Sequence, residues 1–357
     1  MSLLSVDQAR ARILSRFQPV TIETLSLAGC SKRVLAQDIS APNDLPPFDN
    51  SSMDGFAVRS ADVADATTDS PRSLSVVADI PAGSQPTIFL KAGEAARIMT
   101  GAPVPQGADV VIPVEDTGFN DRDAGTPAPD EVQVFRPAKA GWNIRPRGMD
   151  ILSGEIVLYK GRILKPQDIG LLAMLGFATV GVFRRPRVAL FSSGDELLPA
   201  EAPLQEGKIR DSNSYTLAAL LEDAGTEVIR LGVARDNHDS VLALLEQAVD
   251  LKVDMILSSA GVSVGAFDFV KQVIESNGSM DFWRVNMRPG KPVAFGDYKK
   301  IPIIGLPGNP VSAFGGFEVF VRAALGRLRG VAGGNRQTVR VRCAEQIDSD
   351  GRESYLR

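Results

Sequence analysis

The sequence predicts a multidomain α/β plus β protein centred on an open, mostly parallel α/β sheet domain, with irregular β/α domains ahead of it. Three observations carry this. Apolar runs alternate with amphipathic stretches from residue 187 to 329, the pattern of a parallel sheet covered by helices on both faces. Residues 58–145 hold short β-prone runs broken by glycine and proline, the pattern of a small β domain. The length of 357 residues leaves room for two or three domains, in a chain of ordinary globular composition, 44% hydrophobic and 23% charged.

The first element is a helix. Ser5-Val6-Asp7-Gln8 has the form of a capping box, and Val6, Ala9, Ile13 and Phe17 then recur at helical spacing. A second short helix is expected within Leu25–Asp38, after which the prolines of Ala41–Pro47 force an extended crossing between domains. Phe48–Val58 gathers two carboxylates, an amide and two hydroxyls, which make either a well-capped turn or part of a polar site. Strands are expected at Leu74–Val77, Ala96–Met99, Val110–Val114 and Val132–Phe135, the second running into Thr100-Gly101. Gly118–Asp130 reads as a hairpin tip or loop, and Trp142–Asp150 concentrates two arginines and an acid that rim salt bridges would explain. Lys165-Pro166-Gln167-Asp168 opens a helix that Gly176 closes, with a strand after it.

The α/β pattern then runs as strand Val188–Phe191, helix Tyr215–Ala224, strand Val228–Val233, helix Val241–Leu251 and strand Met255–Leu257. Ligands of such sheets bind beyond the carboxyl ends of the strands, where turns present backbone N–H groups and helix N-termini. Three turns there are rich in small and hydroxyl residues: Ser192-Ser193-Gly194-Asp195-Glu196, Ser258–Gly265 with Ser263, and Gly305-Leu306-Pro307-Gly308-Asn309-Pro310-Val311-Ser312. Small residues let an anion approach the backbone and hydroxyls add donors, although tight connections without a ligand have the same composition. Between the last two turns, Arg288-Pro289-Gly290-Lys291-Pro292 holds two cations on a proline-stiffened loop, suited to a tetrahedral oxyanion or phosphate. Lys299-Lys300 reads as solvated surface.

Several classes are excluded on composition. A net charge of -4 is not the footprint of a general nucleic-acid binder, so any anion site is local. Cys30 and Cys343, the two cysteines, suit neither a zinc cluster nor a disulfide framework and fit a reducing compartment. No secretion signal is visible, and the longest uncharged stretch, Ile169–Phe183, is too short for a membrane span. The single histidine, His238, lies between Asn237 and Asp239 at a helix start and reads as a capping or surface residue.

Seven motifs, DNSSMDGFAV, MTGAPVP, RPRGMDI, FSSGDEL, GVSVGAFDFVK, MRPGKP and GLPGNPVS, follow one another in this order between residues 49 and 312, within a resemblance that spans about residues 5–330. The chain thereby resembles the molybdopterin molybdenumtransferase family, which includes bacterial MoeA proteins and the E domain of gephyrin. The resemblance implies a cytoplasmic enzyme of molybdenum cofactor biosynthesis that inserts molybdate into adenylylated molybdopterin and releases AMP, with Mg²⁺ as cofactor. It implies a homodimer in which the N-terminal region of one subunit completes the site on the other, and a molybdopterin adenylyltransferase as a further partner; no nucleic acid or membrane is involved.

Carried over by motif, the catalytic residues are Asp54, Thr100, Asp150, Glu196, Asp236 and Asp268, with Asp54, Glu196 and Asp268 as metal ligands. Ser193, Gly194, Ser263, Arg284, Arg288, Lys291, Pro307, Pro310 and Ser312 are the substrate- and anion-binding residues. Arginine at 284 and 288 departs from the lysine of several family members, which keeps charge and changes geometry. The implied domains are a linking domain (1–45 and 146–182), a small β-rich domain (46–145) and an α/β domain of the molybdopterin-binding type (183–329). Residues 330–357 are expected to begin a truncated C-terminal β-barrel domain. Two other functions fit the same motifs, a molybdopterin adenylyltransferase and a non-catalytic scaffold.

Overall fold

The computed structural model describes residues 3–121, 125–259, 269–332, 339–342, 344–346, 351 and 353–355. The chain forms two compact units, Ile39–Val157 and the combination of Met1–Asp38 with Leu158–Arg357.

The unit Ile39–Val157 is built on a five-stranded sheet of β1 (Gly55–Val58), β2 (Arg72–Ile80), β3 (Glu94–Ile98), β4 (Val110–Pro113) and β5 (Glu131–Val134), in the order β4-β1-β3-β2-β5. Each run of β-prone residues seen in the sequence falls on one of β2 to β5. Both faces of the sheet are covered, because alternate side chains of a strand point to opposite sides. Phe56, Val58, Val110, Ile112 and Val132 pack on one side, and Ala57, Ala96, Ile98 and Val111 on the other. Gly55 is required by close approach: a Cβ there would lie 1.9 Å from the Ile112 carbonyl oxygen. Without that glycine β1 and β4 cannot reach pairing distance at Gly55 and Pro113.

The second unit contains a six-stranded mixed sheet. Its strands are β6 (Arg187–Ser193), β7 (Glu227–Ala234), β8 (Met255–Ser259), β9 (Gly278–Arg284), β10 (Pro292–Tyr298) and β11 (Ile301–Leu306), in the order β7-β6-β8-β11-β10-β9. The pairings β7–β6, β6–β8 and β8–β11 are parallel, while β10 is antiparallel to both its neighbours. Helices cover both faces, as the alternation of the sequence predicts. On one side α1 (Val6–Ser15), α3 (Ser212–Asp223), α6 (Pro310–Gly316) and α7 (Arg322–Leu328) pack on Val188, Leu190, Leu257 and Ile304. On the other, α4 (His238–Asp250) and α5 (Phe269–Asn277) pack on Ala189, Phe191, Ile256 and Ile303. Each fully buried leucine or valine of such a face, Val241 and Leu245 of α4 among them, contributes roughly 1.5–3 kcal/mol.

Local signals account for the helix ends. Ser5 and Gln8 form the capping box of α1, and Asp211, Asn237 and Asn309 cap α3, α4 and α6 through hydrogen bonds to Ser214, Ser240 and Ser312 amides. His238 is exposed, and the cap beside it is Asn237. The helix α2 (Pro166–Met174) ends before Gly176 at φ +84°, as expected.

The helix expected within Leu25–Asp38 is a correction. Only Leu27–Gly29 is helical, a three-residue 3-10 turn between the strands Ile22–Ser26 and Val34–Leu35. Both strands pair with Thr179–Phe183, one on each side. That partner lies some 150 residues away in sequence, and pairing of this kind overrides local propensity.

Candidate active site

The unit Ile39–Val157 brings Asp54 and Thr100 together. Asp54 precedes β1 and Thr100 follows β3, and the antiparallel register Gly55 to Ile98 puts both at the same end of the sheet. One oxygen of Asp54 accepts hydrogen bonds from the backbone N–H and the hydroxyl of Thr100, each at 2.7 Å. The pair lines a cavity of about 470 Å³ together with Arg97, Glu115, Phe119 and Asp121. Arg97 is held there by Asp79, whose hydrogen bonds push the guanidinium above its ordinary value, and it donates to the Thr126 carbonyl at 2.8 Å. Arg97 and Glu115 carried no signal in the sequence, since charged residues in β-rich segments are mostly solvent-facing. Asp150 is half exposed and pairs with Arg145, the ion pair that the sequence composition had suggested.

The α/β unit assembles a second group at the carboxyl ends of its parallel strands. Ser193 ends β6, and its hydroxyl donates to Asp236, just beyond β7, at 3.2 Å. Asp195 and Asp236 are tied reciprocally, each backbone N–H donating to the other's carboxylate at 3.3 Å. Glu196 is exposed, and its carboxylate folds back against Gly194, within 3 Å of where a Cβ would be. Lys208 reaches over this turn and donates to the Asp195 carbonyl at 2.5 Å.

Adjacent strand ends join this group through a buried amide. Asn213, near the start of α3, donates to the Ser259 hydroxyl at 2.9 Å and to the Gly308 carbonyl at 2.8 Å. It therefore ties the end of β8 to the loop Pro307–Pro310. That loop leads into α6, where the Ser312 amide is taken by the Asn309 cap, leaving the hydroxyl available. The Ser312 carbonyl lies 3.5 Å from the position of a Gly290 Cβ, so the Arg288–Lys291 loop packs beside the start of α6. Arg284 ends β9 opposite Pro292, on this same edge. Arg284 and Lys291 have no carboxylate partner among the described residues.

The fold gathers Ser193, Gly194, Glu196, Asp236, Arg284, Arg288, Lys291, Pro307, Pro310 and Ser312, all singled out in the sequence, along one sheet edge. Asp268 and Ser263 lie outside the described residues. Asp195, Lys208 and Asn213 were missed. For Asn213 the only signal was its place after the helix cap Asp211, which marks a helix start and nothing more. Among the described residues no group of three or more His, Cys, Asp or Glu side chains is placed to hold a metal ion.

Hydroxyls, carboxylates and a cation-bearing loop at the carboxyl edge of an open α/β sheet form a setting chemically suited to an anionic ligand. Comparison with known proteins narrows the class. Residues 4–176 match the MoeA N-terminal region (domain I and II), and residues 189–327 match a domain described as "probable molybdopterin binding domain". Molybdopterin molybdenumtransferase 2 of Mycobacterium tuberculosis (strain ATCC 25618 / H37Rv) is 42% identical over 328 residues, spanning 90% of this chain and 78% of that protein. Molybdopterin molybdenumtransferase of Nostoc sp. (strain PCC 7120 / SAG 25.82 / UTEX 2576) is 39% identical, spanning 94% and 76%. Among solved structures, a molybdopterin biosynthesis MoeA protein from Pyrococcus horikoshii OT3 superposes with a TM-score of 0.78 at 32% identity, over 93% of this chain and 81% of that one. The chain belongs to the family of molybdopterin molybdenumtransferases, enzymes of molybdenum cofactor biosynthesis.

Proposed function

We propose that this chain inserts molybdate into adenylylated molybdopterin with release of AMP. The observation that carries the reading is the juxtaposition, on one sheet edge, of the Arg288–Lys291 loop, the start of α6 and the hydroxyls and carboxylates of the β6, β7 and β8 ends. Cations there suit molybdate and the phosphoryl groups, and carboxylates suit a metal bound to them.

In this reading Arg284, Arg288, Lys291 and the Ser312 hydroxyl hold the anion, while Ser193 and Gly194 receive the pterin substrate's phosphate and Pro307 and Pro310 shape the loop beside it. The donor set of Glu196 and Asp236 is all oxygen, which a hard cation such as Mg²⁺ takes. Asp54, Glu196 and Asp268 are proposed as its ligands, and the ion would neutralise charge on the leaving phosphate. Thr100 holds the Asp54 carboxylate in one orientation, and Asp150 and Asp236 act as further acidic groups of the site.

The reading includes a cytoplasmic homodimer and a molybdopterin adenylyltransferase that supplies the substrate. It also includes the four-part division 1–45 with 146–182, 46–145, 183–329 of the molybdopterin-binding type, and 330–357 as the start of a C-terminal β-barrel domain. The family matches over residues 4–176 and 189–327 support the N-terminal and molybdopterin-binding parts of that division. Among the described residues no helix is long and apolar enough to cross a membrane.

The test is AMP release from adenylylated molybdopterin with Mg²⁺, with and without molybdate and without ATP. Release that requires molybdate and drops at least 100-fold in Asp54→Ala is expected. Bound substrate with no release, or release indifferent to molybdate, refutes the assignment.

A further inference from the structure

Lys32, Arg33, Arg184, Arg185 and Arg329 line one small cleft with Phe183 and Gly225. It lies where Arg187 and Glu227 begin β6 and β7, at the opposite edge of the sheet from Ser193 and Ser259. Two of the five cations have carboxylate partners. Arg33 pairs with Glu23, and Arg184 grips Asp254 through two hydrogen bonds of 2.7 and 2.6 Å. Lys32 and Arg185 are exposed and have no ion-pair partner among the described residues. The Arg329 guanidinium donates to the Lys32 carbonyl at 3.0 Å.

The cleft is therefore short of negative charge. Burial, followed by the neighbouring charges of Arg185 and Arg33, pushes the Arg329 guanidinium below its ordinary value. Arg329 is the C-cap of α7, whose last carbonyls offer only a partial negative charge. Its seat is made by Gly225, at φ +79°, where a Cβ would stand 2.7 Å from the guanidinium carbon. Holding a half-buried guanidinium against two other cations is costly unless an anion completes the group.

We propose that this cleft binds a tetrahedral oxyanion of the phosphate or sulfate class, with Arg329 and Arg185 donating to it and Lys32 closing over it from the surface. The enclosed volume is about 10 Å³ within an open cleft of about 180 Å³. Such an enclosure holds one oxygen, so one oxygen sits against Arg329 and the others face the exposed Arg185 and Lys32. Planar guanidinium forks suit this geometry, because each can donate two parallel hydrogen bonds to oxyanion oxygens. The site is separate from the strand-end group and does not depend on what that group catalyses.

The test uses the full chain carrying Arg284→Ala, Arg288→Ala and Lys291→Ala, which removes the strand-end cations. Inorganic phosphate, sulfate and molybdate are titrated into it by calorimetry at constant ionic strength. Saturable binding is expected, weakened at least tenfold by adding Arg185→Ala and abolished by adding Arg329→Met. Crystals soaked in selenate are expected to show its anomalous signal between Arg185 and Arg329. Arg185 is exposed and unpaired, so its removal leaves the fold intact and decides the matter even where Arg329→Met fails to fold. Binding unchanged by Arg185→Ala, or no saturable binding in the starting variant, overturns the proposal.

Discussion

Replacing Asn213 by alanine removes two hydrogen bonds with one cut, and the two acceptors left behind differ. The Gly308 carbonyl belongs to an exposed residue, so water can replace the lost donor and the net cost there is about 1 kcal/mol. The Ser259 hydroxyl belongs to a residue only 1% exposed and is stranded, which costs about 1–3 kcal/mol. The sum, about 2–4 kcal/mol, should appear in urea unfolding as a lower midpoint at unchanged slope. Asn213→Asp preserves shape but supplies no donor: the Ser259 hydroxyl can rotate to donate to the carboxylate, whereas the Gly308 carbonyl is left facing another acceptor, so the variant should still be clearly destabilised. Adding Ser259→Ala to Asn213→Ala should recover part of the loss, because no hydroxyl then remains stranded. A midpoint change worth less than about 0.5 kcal/mol in Asn213→Ala, or near-wild-type stability in Asn213→Asp, would refute the clamp.

Three further outcomes are expected. Thr100→Val keeps the backbone donor to Asp54 but loses the hydroxyl, so molybdate-dependent AMP release should fall roughly tenfold with the melting temperature within a degree or two. Gly55→Ala places a methyl group on the Ile112 carbonyl and should cost at least about 3 kcal/mol, read as a large drop in melting temperature or loss of soluble protein. Burial alone would raise the Asp168 carboxyl, but the Arg162 guanidinium and the Lys165 amide donate to it and hold it below the usual carboxylate range. A depressed folded-state value means that this stabilisation is complete above the unfolded value, about 4, and is lost as pH falls through the folded one. Asp168→Asn should therefore flatten the acid limb of a stability-against-pH profile, and a limb identical to the parent's would count against this linkage.

Periodicity made much of the architecture legible. Alternating strand and helix patterns locate β6, α3, β7, α4 and β8 to within a few residues, because a sheet covered on both faces needs apolar runs that few other arrangements require. The capping box of α1 and the stop at Gly176 were readable for the same reason, being set by neighbours within four residues. What resisted reading was set by distant partners. Ile22–Ser26 becomes a strand only because Thr179–Phe183 offers it an edge. Asn213 acquires its role only when β8 and the Gly308 loop converge on it, and a lone asparagine after a cap announces neither. At the site, glycine- and serine-rich turns gave the location, whereas Arg97, Lys208 and the cluster around Arg329 were hidden among ordinary surface charges.

Because Met1–Asp38 and Leu158–Arg357 share one unit, segments about 300 residues apart in sequence meet within it. Val20 donates its amide hydrogen to the carbonyl of Leu328, and α1 packs against α7. A ribosome making ~5–20 residues per second needs roughly 15–60 s to travel from the first of these segments to the last. Until the strands from β6 onward and finally α7 are made, the docking surface for Val6, Ala9 and Ile13 of the nascent α1 is incomplete, while Ile39–Val157, contiguous in sequence, can already bury its own core. The order of synthesis thus makes the middle of the chain the first part able to fold and its opening helix among the last to be seated.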